Sequence, residues 1–183
     1  NDRVAGIKQL ANTYSGMDIE RVGIFGPEGD TNIIFASIDH ADFYKASVIC
    51  FFSDPRMGPP LYSETFGGVP VPGEKEFAIR HAVDCVSSLK GKLLLVEGLR
   101  NAFGATFRLT DALEKANKSF DMLPITRGIQ DQTGYTIKRS WDYMVEHLLG
   151  EKPPEDFLLR TGVELIHDRL LADIEKRKAN DKA

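Results

Sequence analysis

The sequence predicts an α/β fold with a mixed sheet, and three observations support this class. Three strand-like segments follow one another from residue 32 onward: "NIIFASID", "YKASVICFF" and part of "LYSETFGGVPVPG". From residue 74 onward, segments with helical and strand-like apolar spacing alternate. One of these, "KLLLVEG", is apolar enough to be a buried strand. Consecutive strands favour an antiparallel meander, and the later alternation favours parallel strands with right-handed crossovers.

The first 31 residues are predicted to form an arm made of a helix and a hairpin. "RVAGIKQLANTY" is a helix candidate that ends near Gly16. "RVGIF" and "NIIFASID" are predicted strands around "GPEGD", because Pro, Gly and Asp supply turn geometry. "GPEGDTN" resembles a phosphate-binding loop, but it lacks the Gly-Lys-Ser/Thr ending and no helix is predicted after it. The prediction is therefore an arm, residues 1–31, and a domain, residues 32–183.

The remaining elements are predicted from apolar spacing and from stop signals. A helix from residue 74 has apolar residues at helical spacing and a stop at Gly91. After the "KLLLVEG" strand, "ATFRLTDALEKANKSF" is a predicted helix and "DMLPITRG" a short strand. "IKRSWDYMVEHLLG" is another predicted helix. The last helix is placed in "EKPPEDFLLRTGVELIHDRLLADIEKRK", with Pro-Pro and acids as its start signal.

Composition indicates a soluble globular protein that does not span a membrane. Of the 183 residues, 42% are hydrophobic and 27% are charged, and no apolar run reaches the roughly 18 to 20 residues that a bilayer requires. No signal-peptide pattern is visible at the start. Cys50 and Cys85 lie in apolar surroundings, which favours two reduced core thiols in a cytosol-like compartment. A net charge of −4 argues against nucleic-acid binding unless the positive residues are localised.

Several acids are spaced along the chain as an RNase H-like fold would require. In that fold, carboxylates from distant segments converge on two divalent ions that hold the attacking and leaving oxygens of a phosphodiester. Asp39 ends the first predicted strand of the meander, and Glu97 ends the strand after the first helix of the domain. The last helix offers Glu164, His167, Asp168 and Asp173. Oxygen ligands of this kind suit Mg²⁺ or Mn²⁺.

Short motifs in the same order resemble those of the RuvC-type Holliday-junction resolvases. "SIDHA" is similar to the Ile-Asp motif of the first strand, and "EGLRNAFGATFRL" to the segment that follows the catalytic glutamate. Pro124, Gly134 and Lys138 are similar to the proline and the Gly-x-x-x-Lys helix start of that family. "HDRLLADI" stands for its Asp-rich last helix. The resemblance covers residues 32–176 and implies an RNase H-like nuclease.

The sequence departs from that family at two points. No glycine lies between Asp39 and Lys45. On the last helix, Glu164 lies four residues before Asp168 and Asp173 five residues after it, whereas the family has two aspartates one turn apart. Glu164 and Asp168 do share a helical face. The alternative is a scaffold that has lost its site and acts as a binding or assembly subunit.

The leading hypothesis is a divalent-metal-dependent endonuclease that cleaves branched DNA such as four-way junctions. The resemblance implies that Asp39, Glu97 and Asp168, assisted by Glu164, bind Mg²⁺ or Mn²⁺, and that Lys138 contacts the scissile phosphate. A homodimer is expected, because a four-way junction presents two equivalent strands. The expected location is the cytoplasm, in association with the nucleoid, or an organellar matrix.

Other residues have less specific interpretations. Arg100, Arg108 and Arg127 follow the presumed catalytic strands and are candidates for contacts with backbone phosphates. Phe107 and Trp141 are candidates for stacking on a junction, but their helical spacing favours core positions. A further rival is a roadblock-like sensor module that binds a small ligand or a partner, and it requires the first thirty residues to be part of the central sheet.

Overall fold

A four-stranded parallel sheet is the centre of the protein. The computed structural model describes residues 2–27, 31–53, 82–98, 104–126, 134–160 and 162–180. The strands are β1 (Val22–Gly26), β2 (Tyr44–Cys50), β3 (Lys92–Gly98) and β4 (Asp121–Ile125), in the spatial order β1-β2-β3-β4. All three strand pairs are parallel. The α/β class is therefore confirmed, but the described strands form no antiparallel meander.

Helices lie on both faces of this sheet. They are α1 (Asp2–Thr13), α2 (Thr31–Asp39), α3 (Ala82–Cys85) with the 3₁₀ turn Val86–Ser88, α4 (Gly104–Lys115), α5 (Gly134–Met144) with the π-helical turn Val145–Leu149, and α6 (Gly162–Asn180). Because successive strands are added in one direction, crossovers of one hand place α2, α3 and α4 on the same face. The helix α5 covers the other face. Within the described ranges, no helix has the length and apolar character needed to cross a membrane.

The strand β3 packs its side chains alternately into two cores. Leu93 and Leu95 lie among the apolar residues of α2, α3 and α4. Leu94 and Val96 lie on the opposite face, with Tyr143 of α5. Successive strand residues point to opposite faces, so a strand buried on both sides has a continuous apolar sequence. The prediction of a buried strand here is confirmed, with the same bounds.

The segment predicted as the strand "NIIFASID" is instead the helix α2. Ile33, Ile34 and Ile38 are buried against the core formed with α3 and α4. The hydroxyl of Ser37 donates to the carbonyl oxygen of Ile33, one turn earlier, at 2.7 Å. Isoleucine is common in strands, but this packing overrides the local preference.

The N-terminal segment contributes directly to the sheet. The strand β1 pairs with β2 from Val22↔Tyr44 to Gly26↔Ile49. "GPEGD" therefore lies between a strand and a helix, and the interpretation as a hairpin turn is corrected. The division at residue 31 falls within this strand–helix unit.

The predicted elements after β3 are present, with shifted ends. The helices α4 and α5 and the strand β4 occupy the predicted segments. The last helix begins at Gly162, later than predicted, and residues 151–160 form no regular helix or strand. This segment, which we call the strap, returns along α5, because a Cβ atom on Gly134 would overlap the carbonyl oxygen of Leu159. The strand predicted in "LYSETFGGVPVPG" and the helix start at residue 74 lie outside the described residues.

Candidate functional site at the carboxyl edge

Parallel α/β sheets bind ligands beyond the carboxyl ends of their strands. We call this side of the sheet the carboxyl edge and the opposite side the amino edge. Here the strands end at Gly26, Cys50, Gly98 and Ile125. The helices α2, α4 and α5 begin at the same edge, because each follows a strand in the chain. The carboxyl edge is therefore the side of this sheet at which a ligand is expected.

Phe51, directly after β2, has a strained backbone at this edge. Its φ angle is +58°, a region that bulky residues rarely adopt. The residue is buried, and its backbone N–H donates to the carbonyl oxygen of Val96 at 2.7 Å. A conformation of this kind costs about 1–3 kcal/mol and persists only where surrounding contacts impose it. Such residues are concentrated at functional sites.

Glu97 is buried at the end of β3, with 2% of its surface exposed. One carboxylate oxygen accepts a hydrogen bond from the backbone N–H of Gly98 at 3.0 Å. The other accepts one from the hydroxyl of Thr106, in the first turn of α4. Because burying a carboxylate is costly unless hydrogen bonds compensate, these donors explain how an acid can end a buried strand. The contact joins β3 to the start of α4.

Cys50 and Ser140 form a second buried polar contact near this edge. Burial raises the pKa of the Cys50 thiol to about 11; a hydrogen bond with Ser140 opposes this shift, and the charge of Glu97 adds to it. The hydroxyl of Ser140 lies 2.9 Å from the carbonyl oxygen of Thr136, to which it donates. The thiol is therefore protonated at neutral pH. Because thiolate is the reactive form, Cys50 is not an activated nucleophile.

The connection from β1 to α2 requires a close approach between strand and helix. A Cβ atom built on Gly26 would lie 2.5 Å from Cγ1 of Ile33 in the first turn of α2. Ile33 is itself buried in the core, so it has little room to move away. Only glycine therefore fits at the end of β1.

The structure places Asp39 and Glu97 at opposite ends of the sheet. Asp39 is exposed at the end of α2, which runs back toward the amino edge. It lies beside a shallow cleft with Asp2, Arg3 and Tyr44, the first residue of β2. Glu97 ends β3 at the carboxyl edge. These two carboxylates therefore do not converge.

The predicted residues near the end of the chain have other partners. Asp168 is about half exposed on α6 and forms an ion pair with Arg160 of the strap. Glu164 also lies on α6, but its side chain is not among the described ones. The ammonium of Lys138 lies 2.7 Å from a carboxylate oxygen of Asp142, one turn later on α5. Lys138 and Asp142 line a cleft of about 640 Å³ between α5 and the strap.

No group of three or more Asp, Glu, His or Cys side chains that could hold a metal exists among the described residues. His167 and Asp173 are exposed on α6. Phe107 and Trp141 are 56% and 51% exposed, which contradicts the core positions favoured by their spacing. Arg108 is exposed beside another cleft on α4. Arg100 and Arg127 lie outside the described residues.

Comparisons with known proteins indicate the type of fold. No protein-family model and no curated protein matches the sequence. Among solved structures, 48 chains match. Dipeptidyl peptidase 4 of Porphyromonas gingivalis has a TM-score of 0.65 and 24% identity over 82% of this chain. The acylaminoacyl peptidase of Pyrococcus horikoshii has a TM-score of 0.62 and 18% identity over 85% of this chain. A puromycin-hydrolyzing peptidase of Mycobacterium tuberculosis has a TM-score of 0.64 and 18% identity over 86% of this chain.

This chain spans only about a quarter of those proteins: 22%, 28% and 26% of their lengths, respectively. The likeness shows an α/β-hydrolase-type fold. The expectation of a hydrolytic enzyme agrees with these neighbours, which are hydrolytic enzymes.

The nuclease hypothesis is wrong. The matching structures are peptidases and other hydrolases, not RuvC-type resolvases, and nothing in them points to branched DNA. The expectation of Mg²⁺ or Mn²⁺ is corrected by the same neighbours and by the separation of the acids. The homodimer was expected only because a four-way DNA junction presents two equivalent strands, so that argument for it no longer applies. Neither the inactive RNase H-like subunit nor the roadblock-like module is supported by these neighbours, although β1 does belong to the sheet.

Sequence reasoning missed that β1 is followed by the helix α2 rather than by a second strand. A signal for it was available: a glycine ends an apolar strand, and Ile33, Ile34 and Ile38 follow at a spacing that fits one face of a helix. It also missed the pairing of Thr106 with Glu97 and of Ser140 with Cys50. Ser140 and Cys50 are far apart in the sequence, and Thr106 meets Glu97 only because α4 begins at the edge where β3 ends.

Proposed function

We propose that this chain is the substrate-binding, hydrolase-type domain of a longer peptidase-like protein. Peptides bind at its carboxyl edge. The proposal concerns the whole protein to which this domain belongs, since the domain is short beside its structural neighbours.

The β1–α2 unit is the observation that carries this proposal. In α/β-hydrolases, the reactive residue lies on a sharp strand-to-helix turn within the sequence G-x-S-x-G. Gly26 begins the corresponding stretch, and its close approach to Ile33 is the packing that such a turn requires. β1 ends and α2 begins at the carboxyl edge, where Phe51 is strained and Glu97 is buried. This combination supports a ligand site there.

A peptide is the ligand class that the neighbours favour. An acylaminoacyl peptidase with the same fold, at a TM-score of 0.64, was solved with Z-Gly-Gly-Phe-chloromethyl ketone. In the present chain, Phe107 and Tyr135 are exposed in the first turns of α4 and α5, at the carboxyl edge. Tyr135 lines the cleft between α5 and the strap. Exposed aromatic side chains suit apolar peptide residues.

Binding of fluorescein-labelled Z-Gly-Gly-Phe amide to the purified protein, followed by fluorescence anisotropy, tests the proposal. We expect saturable binding that is weakened about tenfold, or about 1.4 kcal/mol, by Phe107→Ala or Tyr135→Ala. Leu149→Ala is the matched control, because Leu149 is also exposed but lies at the far end of the turn after α5. Absence of binding, or equal weakening by all three variants, would contradict the proposal.

A further inference from the structure

We infer that the cleft between α5 and the strap binds the free C-terminal carboxylate of a peptide whose last residue is aromatic. The inference rests on the proposed function and specifies which end of the peptide the domain recognises. The cleft has a volume of about 640 Å³, and all the residues that line it belong to the described part of the chain. Its charged and aromatic side chains together fit such a terminus.

A buried carboxylate on the α5 wall of the cleft is shared by two cations. Asp142 is only 7% exposed. One of its oxygens lies 2.7 Å from the ammonium of Lys138 and 3.3 Å from the guanidinium of Arg139. Neither cation has another acidic partner among the described residues. Two positive charges therefore face one negative charge, and one positive charge is left for an anionic ligand to balance.

The other charges of the cleft are more strongly screened by water than this cluster. The side chain of Lys138 is 14% exposed, whereas Lys152 and Glu155 of the strap are largely exposed and pair with each other at 2.6 Å. Glu146 and Asp156 also line the cleft and are exposed to solvent. Because solvent screens exposed charges more than buried ones, the buried cluster determines the field in the inner part of the cleft.

A carboxylate is the anion that this cluster suits best. The C-terminal carboxyl group of a peptide is ionised at neutral pH. Lysine has three N–H donors and arginine has five, so both Lys138 and Arg139 keep donors after pairing with Asp142. One ligand carboxylate completes a neutral set of two cations and two carboxylates. A phosphate group, with its charge of about −1.5 to −2, would instead leave an excess of negative charge beside Asp142.

Two aromatic side chains line the same cleft, one on each wall. Tyr135 lies one helical turn before Lys138 and Arg139 on α5, and residues at this spacing are about 5–6 Å apart between Cβ atoms. Phe157 belongs to the strap. Both rings are about half exposed, so a further ring can pack against them. A C-terminal phenylalanine carries its ring and its carboxylate on one Cα atom, so it can contact the aromatic and the basic side chains together.

The strap is held in place at the end of the cleft near the carboxyl edge. The carbonyl oxygen of Leu159 lies so close to Gly134 that a Cβ atom there would overlap it. The next residue, Arg160, forms an ion pair with Asp168 of α6. These contacts fix the wall that carries Phe157. A site that exists before the ligand arrives loses less conformational freedom on binding.

Titration calorimetry with Z-Gly-Gly-Phe acid and with Z-Gly-Gly-Phe amide tests this inference, since the two peptides differ only in the terminal group. We expect the acid to bind about tenfold more tightly than the amide, because charge-assisted hydrogen bonds form only with the acid. Added NaCl should reduce this difference, because salt screens the interaction between the charges.

Two pairs of variants locate the site. Arg139→Gln should weaken binding of the acid about tenfold and leave the amide unchanged. Lys152→Gln, the matched control, removes a positive charge from the same cleft and should change neither affinity, because Lys152 is largely exposed. Phe157→Ala should weaken both peptides severalfold. Leu165→Ala, at a similarly exposed position on α6 outside the cleft, should affect neither. A cooperative melt of each variant shows that it is folded.

The outcomes distinguish this inference from the proposed function. If the unmodified protein bound the amide as tightly as the acid, the inference would be overturned while peptide binding remained. Equal weakening of the acid by Arg139→Gln and Lys152→Gln would overturn it too, because the preference would then be a general effect of charge. Unchanged binding by Phe157→Ala would exclude the aromatic part of the site. Absence of binding of either peptide would instead contradict the proposed function.

Discussion

Glu97 shows, at the scale of single residues, how hydrogen bonds satisfy a buried carboxyl group. Its two oxygens accept hydrogen bonds from Gly98 and Thr106. Hydrogen bonds to a buried charged group contribute about 1.5–3 kcal/mol each, and an unsatisfied buried acceptor costs about as much. The Thr106 hydroxyl is therefore an important contact of this edge.

Thr106→Val should lower the free energy of unfolding by about 1.5–3 kcal/mol, because it keeps the side-chain shape and removes the donor to Glu97. Urea denaturation, with an unchanged m value, measures the effect. Thr106→Ser keeps the hydroxyl and should lose much less stability. Equal losses in the two variants would show that the methyl packing, not the hydrogen bond, matters.

The buried thiol of Cys50 predicts a loss of stability at alkaline pH. Its pKa in the folded protein is raised to about 11 from an ordinary value of 9.0, mainly by burial. Between these values, the unfolded chain releases the proton while the folded chain keeps it, so stability falls as pH rises. The contribution is fully present below pH 9 and is lost as pH approaches 11. Its size is on the order of 1–3 kcal/mol.

Urea denaturation at pH 8.5 and pH 10.5 measures this difference. Cys50→Ala lacks the titrating group and should lose less stability over the same interval, although other groups, such as Tyr143, also have a raised pKa. An equal loss in both proteins would show that Cys50 does not contribute. A second measurement is the reaction of Cys50 with a thiol reagent at neutral pH. Cys50 should react only after unfolding, because the native thiol is buried and protonated.

At the scale of elements, the close packing of β1 on α2 predicts a strong glycine requirement. Gly26→Ala should destabilise by about 1–3 kcal/mol, because the added methyl group overlaps Ile33. Gly6→Ala is the matched control: nothing lies within 4 Å of its Cβ position inside α1, so it should stabilise by about 0.5–1 kcal/mol. Thermal or urea denaturation of both variants checks the contrast. If Gly26→Ala left the free energy of unfolding unchanged, Ile33 of α2 would not lie as close to Gly26 as the structure places it.

The strap depends on a second close contact. Gly134→Ala places a methyl group on the backbone of Leu159, so the strap must move away from α5. We expect chymotrypsin to cleave after Phe157 severalfold faster in this variant. Gly162→Ala, whose Cβ position has no neighbour within 4 Å, should leave the cleavage rate unchanged. Unchanged cleavage in Gly134→Ala would contradict the placement of the strap.

Elements with a long or periodic apolar pattern could be predicted from the sequence. β3 was predicted with its observed bounds, because a run of four large aliphatic residues fits a strand buried on both faces. α2 could not be predicted in this way, since its two adjacent isoleucines fit a strand as well as a helix. This one error changed the topology: a strand at residues 32–39 suggested a hairpin, whereas a helix there makes β1 and β2 parallel.

The candidate site was predictable only in part for the same reason. The buried strand that carries Glu97 was predicted from its sequence, but the hydrogen bonds that hold the Glu97 carboxyl group were not. The position of Asp39 did not, because a residue that ends a helix after β1 lies at the amino edge rather than beside Glu97. Whether distant acids meet depends on the direction of every intervening element. Spacing along the chain does not contain that information.

At the scale of the whole molecule, the proposed peptide binding depends on one surface, the carboxyl edge. The carboxyl edge combines a strained Phe51, a buried Glu97 and exposed Phe107 and Tyr135. The amino edge carries Asp39, His40 and the end of the turn after α5. A peptide-binding domain of this fold should use the first surface and not the second.

Titration of Z-Gly-Gly-Phe amide into ¹⁵N-labelled protein, followed by amide chemical shifts, tests this central claim most directly. The account predicts shifts at Gly98, Thr106, Phe107 and Tyr135, with His40, Tyr44 and Leu149 unchanged. Shifts confined to the amino edge, or no shifts at saturating peptide, would contradict it.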